Sequence, residues 1–185
     1  MQANQFGEEN AFAQSDHVDR VLAQWARQWP ELDTSPVAVI ARVGRVREFF
    51  DRGMEELFAQ HGLTRQAWDV LACVRRAGSP YELTPSELSA ALMRTSGAVT
   101  HTLQRLEYDG LIERVASETD LRSLLVRLSP AGKALVDEVA PRHVANEKRM
   151  LAALTDDEQT AFADMLRRLL LSFEEADSAV RQRRR

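Results

Sequence analysis

From Ser15-Asp16 onwards, the apolar residues of this 185-residue chain recur at helical spacing over most of its length. Val18, Val21, Leu22, Trp25 and Trp29 form one stripe. The residue before Pro30 is pushed out of the α region, so this spacing predicts an amphipathic helix that stops at Trp29 with two tryptophans on its apolar side. Val39, Ile40, Val43, Val46, Phe50, Met54 and Leu57 predict a long helix from Ser35-Pro36 to about His61-Gly62. Thr64 opens a helix carrying Trp68, Leu71, Cys73 and Val74, which ends near Gly78-Ser79-Pro80. A short helix follows from Thr84 to about Met93. Another runs from Ser96 to Asp109, with Val99, Leu103 and Leu106 as its buried positions and Gly110 as its stop.

Beyond Gly110 the period changes. Leu111 to Val115 and Ser123 to Leu128 are short β-compatible runs, the second alternating through Leu124, Val126 and Leu128. The polar residues 116–122 between them are too many for a tight turn, which predicts a hairpin with an extended tip. Helical spacing then returns, first through Leu135 and Val139 past Pro141 towards Leu151, then from Thr155 through Phe162, Met165, Leu166, Leu169, Leu170 and Phe173.

Ser35-Pro36, Thr84-Pro85 and Ser129-Pro130 share one device for starting a helix. A hydroxyl accepts from an orphan amide, and proline stands where its missing N–H costs nothing. Thr84 to Glu87 and Thr155 to Glu158 both spell a capping box. The stretch before Ser15 has no period and reads as a loose tail. Residues 181–185 are a basic run, read either as a solvated tail or as a contact for DNA or a partner.

Composition narrows the function classes. With 44% hydrophobic and 28% charged residues the chain is of ordinary globular type, about one and a quarter domains long. Its 24 Lys+Arg against 28 Asp+Glu give a net charge of −4, which excludes a uniformly basic nucleic-acid coat. No run approaches the roughly 18 apolar residues of a membrane helix, and no secretory leader is visible, so a cytoplasmic location away from membranes is expected. CxxC, HExxH, GxGxxG, GxxxxGK[ST] and GxSxG are missing, and the histidines at 17, 61, 101 and 143 show no metal spacing, so neither an enzyme nor a cofactor or metal is implied. The lone Cys73 lies on an apolar face. It reads as packing, with a redox-sensing thiol as the alternative.

Helix, tight turn, helix, strand, polar loop, strand is the order of a winged helix-turn-helix. In that arrangement the second helix enters the major groove of double-stranded DNA and the hairpin tip reaches the neighbouring backbone. Ser96 and Thr100 can donate to phosphates or base edges, and His101 and Gln104 can read edges. Arg94, Thr95 and Arg105 are placed for the backbone, and Arg122 in the tip for a minor groove or a phosphate. Blander roles remain open beside these: Ser96 as a helix cap, Arg105 paired with Glu107 or Asp109, His101 as a surface histidine, and Asp120 as a partner that holds Arg122.

Residues 84–128 contain five arginines (94, 105, 114, 122, 127) and six acids (87, 107, 109, 113, 118, 120), so the reading head is not basic overall. Affinity for duplex comes largely from neutralised phosphates, so one such head binds weakly. A homodimer repairs this by presenting two heads to a pseudo-palindromic operator, and the helices of the N- and C-terminal thirds supply the apolar surface for it.

The segment Asp120-Leu121-Arg122-Ser123 through Leu128-Ser129-Pro130-Ala131-Gly132 resembles the wing signature of MarR-family transcriptional regulators, D-x-R-S…L-[TS]-x-x-G. Leu83 to Leu88 through Arg105-Leu106-Glu107 resembles that family's helix-turn-helix. A narrower resemblance, to the PecS-like, urate-responsive subgroup with an added N-terminal helix, rests on three stretches: Ala23-Gln24-Trp25 leading to Pro30-Glu31-Leu32-Asp33, Trp68 to Leu71, and Arg75 to Tyr81. It implies a homodimeric repressor released from DNA by a small anionic aromatic or purine-like ligand, with Trp25 and Asp69 at positions tied to ligand response. Without the resemblance, Trp25 reads more as a core or dimer-interface residue than as a ligand contact, and Asp69 as a cap or a partner of Arg65, Arg75 or Arg76. Thr102 stands where the subgroup has arginine. A threonine supplies no cationic fork, which argues against urate as the effector.

The expected fold is therefore mainly α with a small β-hairpin wing, a winged helix-turn-helix with N- and C-terminal dimerisation helices. Residues 1–14 form a flexible tail, 15–62 the N-terminal helices with dimerisation and a ligand cleft, and 63–128 the DNA-binding lobe. Residues 129–180 form the C-terminal dimerisation helices and 181–185 a basic tail. Two alternatives stand beside the ligand-released repressor. One is a DNA-binding regulator without an effector, redox-responsive through Cys73 or constitutive; the other is a helical interaction module that keeps the fold without binding DNA.

Overall fold

The computed structural model describes residues 15–116 and 124–183, which divide into two compact units, one ending at Gly53 and the other beginning at Met54. The wing tip, with Asp120 and Arg122, lies outside the described residues, as do residues 1–14 and 184–185.

In the first unit, α1 (His17–Gln28) starts on a reciprocal cap: the Asp19 amide donates to Asp16 Oδ1 (2.9 Å) and the Asp16 amide to Asp19 Oδ2 (3.0 Å). Arg42 of α2 (Ser35–Ala59) ties the two helices together. Its Nε donates to Asp16 Oδ2 at 2.8 Å and its Nη2 to Asp19 Oδ1 at 2.5 Å. Two expectations are corrected here. α1 stops at its C-cap Trp29, where Pro30 ends the helix as predicted, but both tryptophans expected on its apolar side, Trp25 and Trp29, are exposed. Ser35 does not cap α2 either. It is the first helical residue, and its amide donates to Asp33 Oδ1 (2.9 Å), since a carboxylate two residues back closes the same turn as well as a hydroxyl. That amide holds the Asp33 carboxyl below its ordinary pKa.

The second unit carries the continuous core. α3 (Arg65–Arg76) is capped by Thr64, whose Oγ1 accepts from the Ala67 amide (3.1 Å), and it buries Ala67, Trp68 and Val70 to Val74. Around it pack α4 (Pro85–Ala91), α5 (Ser96–Tyr108), α6 (Pro130–Met150) and a small antiparallel sheet, with Phe58, Leu88, Leu103, Leu106, Ile112, Val126 and Val139 completely buried. Phe58, Trp68 and His143 form a triangle of rings, each pair of centroids 5.3 Å apart.

The sheet has the order β1-β3-β2 and contains one strand more than the hairpin expected: β1 (Glu82–Leu83) joins β2 (Ile112–Ala116) and β3 (Leu124–Leu128). Glu82 opposes Arg127 and Leu83 opposes Val126, and the Glu82–Arg127 ion pair (2.6 Å) reinforces the join. Two residues are too few to show alternation, which is why β1 leaves no trace in the pattern. Within β3 the buried side chains are Val126 and Leu128, while Leu124, expected on the same inward face, is exposed near the strand end.

α6 starts at Ser129-Pro130 as expected and continues through Pro141. α7 (Asp156–Arg183) starts on the Thr155–Glu158 capping box and runs further than expected, so residues 181–183 of the anticipated basic tail belong to a helix. Met165, Leu169, Leu170, Leu171 and Phe173 of α7 are exposed, and so, in the first unit, are Val39, Ile40, Val43, Val46 and Phe49 of α2.

Candidate nucleic-acid interface

α4, a tight turn and α5 form a helix-turn-helix whose geometry is set locally at both helix starts. At α4 the Glu87 amide donates to Thr84 Oγ1 (3.1 Å) and the Thr84 amide to Glu87 Oε2 (2.7 Å), and that Thr84 amide holds the Glu87 carboxyl below its ordinary pKa. Met93 in the turn takes a left-handed conformation (φ 50°) and is 87% exposed. The Arg94 amide then donates to the Ser89 carbonyl (3.1 Å), which fixes the chain's re-entry. The N-cap of α5 is Thr95, accepting from the Ala98 amide; Ser96 is the first helical residue, so the helix-cap role left open for Ser96 falls to Thr95.

Val99, Leu103 and Leu106 pin one side of α5 to the core, which turns Ser96, Thr100, His101, Gln104 and Arg105 outward, all exposed. Arg94 and Thr95 are exposed at the helix entry. The structure thus brings these seven sequence-chosen residues onto one exposed surface, while the eighth, Arg122, lies outside the described residues. The Thr100 hydroxyl donates to the Ser96 carbonyl (2.8 Å).

Each described arginine of residues 84–128 is ion-paired. Arg105 Nε donates to Asp109 (2.9 Å), Arg114 Nε to Glu107 (3.0 Å), Arg127 Nη2 meets Glu82 (2.6 Å), and Arg94 Nη2 meets Asp69 (3.4 Å). Arg105 therefore takes the carboxylate-paired alternative, and its guanidinium also lies 5.6 Å from the Tyr108 ring centroid. The neutrality counted from sequence is local pairing, charge by charge.

Of the roles open to Asp69 beside ligand response, a cap or a pair with Arg65, Arg75 or Arg76, the geometry takes none: its ion-pair partner is Arg94, across the turn from α3 to the entry of α5. Arg75 pairs instead with Asp137 of α6 (2.7 Å) and stacks 4.8 Å from the Tyr81 ring centroid. No sequence signal marks the Asp69–Arg94 pair, because its members are 25 residues apart. The Thr102 hydroxyl donates to the Ala98 carbonyl (3.2 Å). Trp25, in the first unit, is 43% exposed.

A model of the MarR family matches residues 61–123, which spans this helix-turn-helix. Over 152 residues the chain is 35% identical to the HTH-type transcriptional regulator PecS of Dickeya dadantii, covering 82% of this chain and 92% of that protein. The chain belongs to the MarR family. A crystal structure of a cysteine-to-serine variant of Escherichia coli MarR, complexed with operator DNA, is similar at 27% identity with a TM-score of 0.65, covering 76% of this chain and 99% of that one. AbsC, a MarR-family regulator from Streptomyces coelicolor, shares the fold with a TM-score of 0.69 at 23% identity, over 78% of this chain and 97% of its own.

As a MarR-family member the chain is a DNA-binding transcriptional regulator and not an enzyme. Within this MarR-family lobe Cys73 is 5% exposed, packed in the core face of α3, and so lacks the exposure that a redox-sensing thiol needs. Among the described residues no group of three or more His, Cys, Asp or Glu is placed to hold a metal, and no helix is long and apolar enough to cross a membrane.

Proposed function

We propose that the chain is a homodimeric repressor that binds a pseudo-palindromic operator through α5 and is released by a small anionic aromatic or purine-like ligand. One observation carries the DNA half: the exposed polar face of α5, held outward by Val99, Leu103 and Leu106. In this reading the N-terminal end of α5 lies in the major groove. His101 and Gln104 face base edges, with Ser96 and Thr100 beside them, Arg94, Thr95 and Arg105 lie at the backbone, and Arg122, outside the described residues, is assigned to a minor groove or a phosphate.

Two features support a dimer. A head whose described arginines are all paired holds few surplus cations for phosphate, so two heads are needed for useful affinity. The exposed leucines and phenylalanine of α7, and separately the exposed valines of α2, are the apolar surface such a dimer covers. Residues 15–62 and 129–180 then carry dimerisation and 63–128 the reading lobe. The ligand half rests on Trp25 and Asp69 and on population shift: a ligand that binds better when the heads are misplaced for successive major grooves lowers DNA affinity by its differential affinity.

The test is a mobility-shift titration on the promoter upstream of the chain's own gene, with salicylate, other aromatic carboxylates and the purine urate as competitors. A shifted band at low salt that one of these probes releases is the expected result. No band at low salt sinks the DNA reading; a band that none of the probes releases sinks the effector reading alone. Leu170→Glu, on the exposed α7 stripe, is expected to give monomers by light scattering and to weaken the shift, and an unchanged dimer would overturn the interface.

A further inference from the structure

We propose that Asp69 sets the affinity of the reading head by competing with DNA phosphate for Arg94. Four described ion pairs neutralise the head, and three of them join groups on α5, β2 and the sheet at 2.6–3.0 Å. The fourth is different. Arg94 Nη2 meets Asp69 Oδ2 at 3.4 Å through a single contact, between side chains that are 36% and 31% exposed. Its two backbones are fixed, Asp69 within α3 and Arg94 by its amide bond to Ser89, so the guanidinium is the part that can turn.

At 3.4 Å this is the longest of the four contacts, and a long contact between partly exposed side chains is weak, whereas a guanidinium offers a phosphate two parallel N–H donors. On docking, Arg94 exchanges the carboxylate for phosphate. Asp69 is then left without its partner beside a polyanion, where its charge is repelled. The carboxylate therefore acts against binding twice, by engaging Arg94 in the free protein and by facing phosphate in the complex. Asp69 is in this sense a positioning residue, acting through Arg94.

The inference rests on the DNA-facing reading of the α4–α5 turn and needs no effector. The experiment measures operator affinity of the full-length chain by fluorescence anisotropy at several KCl concentrations, without any small molecule, for the parent, Asp69→Asn, Arg94→Ala and the double variant. Asp69→Asn is expected to bind roughly two- to tenfold more tightly at low salt, with a steeper salt dependence. Arg94→Ala is expected to bind more weakly, with a salt slope lower by about one. In the Arg94→Ala background the Asp69 change is expected to tighten binding by less than about twofold, since its partner is gone.

Equal tightening in both backgrounds overturns the proposal, because the effect is then general charge removal. Unchanged or weaker binding by Asp69→Asn overturns it too, with a melting curve matching the parent showing that the variant is folded and Asp69→Ser as a second replacement. If Arg94→Ala leaves affinity and salt slope unaltered, the DNA-facing reading of the turn fails instead.

Discussion

Gly132 packs directly against the backbone of Leu111: a Cβ at position 132 would lie 1.9 Å from the Leu111 carbonyl oxygen. The close approach is built by Ser129. Its amide donates to that same carbonyl (3.1 Å), its hydroxyl donates to the Gly110 carbonyl (2.7 Å), and it accepts from the Gly132 amide (2.9 Å). The glycine that closes the wing signature thus has a steric reason, because the first turn of α6 is bolted to the chain between α5 and β2. Gly132→Ala is expected to destabilise the fold by about 3 kcal/mol, since backbone cannot yield as a side-chain end can. A urea titration showing a midpoint close to the parent's would contradict this.

The polar face of α5 makes a prediction about specificity. Gln104 is exposed on that face, and its amide suits the two-pronged recognition of adenine. Gln104→Ala is expected to lose about 1–3 kcal/mol of discrimination at one base pair per half-site while leaving the salt slope unchanged. Competition between operator variants at fixed salt measures both, and a uniform loss across all variants would mean that Gln104 is not reading a base.

Acid should loosen the joint between α3 and α6. Lys133 Nζ (2.6 Å) and Arg75 Nε (2.7 Å) both donate to the Asp137 carboxylate and hold it below its ordinary pKa, the Lys133 hydrogen bond contributing most. A carboxyl depressed in the folded state adds stability above its unfolded pKa and loses it as pH falls through the folded value. Unfolding free energy is therefore expected to decline below about pH 4, and less steeply in Asp137→Asn. Identical acid slopes in the two proteins would count against this pair. The capping carboxylates Asp16, Glu87 and Glu158 are depressed in the same direction, so part of the slope remains in the variant.

Cys73 gives the redox alternative a direct test. A thiol packed in the core of α3 reacts only when the lobe opens, so alkylation by iodoacetamide is expected to be slower in buffer than in urea by on the order of 100-fold or more. Comparable rates in the two conditions would return a redox role to Cys73.

What the sequence determined by itself is what neighbouring residues decide. Thr84 with Glu87, Thr155 with Glu158, and Ser129-Pro130 start their helices where the residue types predict, because a cap needs only a side chain and an amide three residues apart. The stripe Val99, Leu103, Leu106 likewise fixed which face of α5 turns outward, and with it most of the candidate site. The structure alone decided the partners brought together from far along the chain. The two-residue strand β1 exists because Tyr81 to Leu83 meets β3, with Glu82 finding Arg127 across 45 residues. Asp69 reaches Arg94 instead of the arginines beside it in sequence, because the lobe folds the α4–α5 turn against α3. Charge composition counts such residues without pairing them. Only the tertiary fold shows that the near-neutral reading head is a set of specific ion pairs, the longest of which, at 3.4 Å, lies where the reading helix begins.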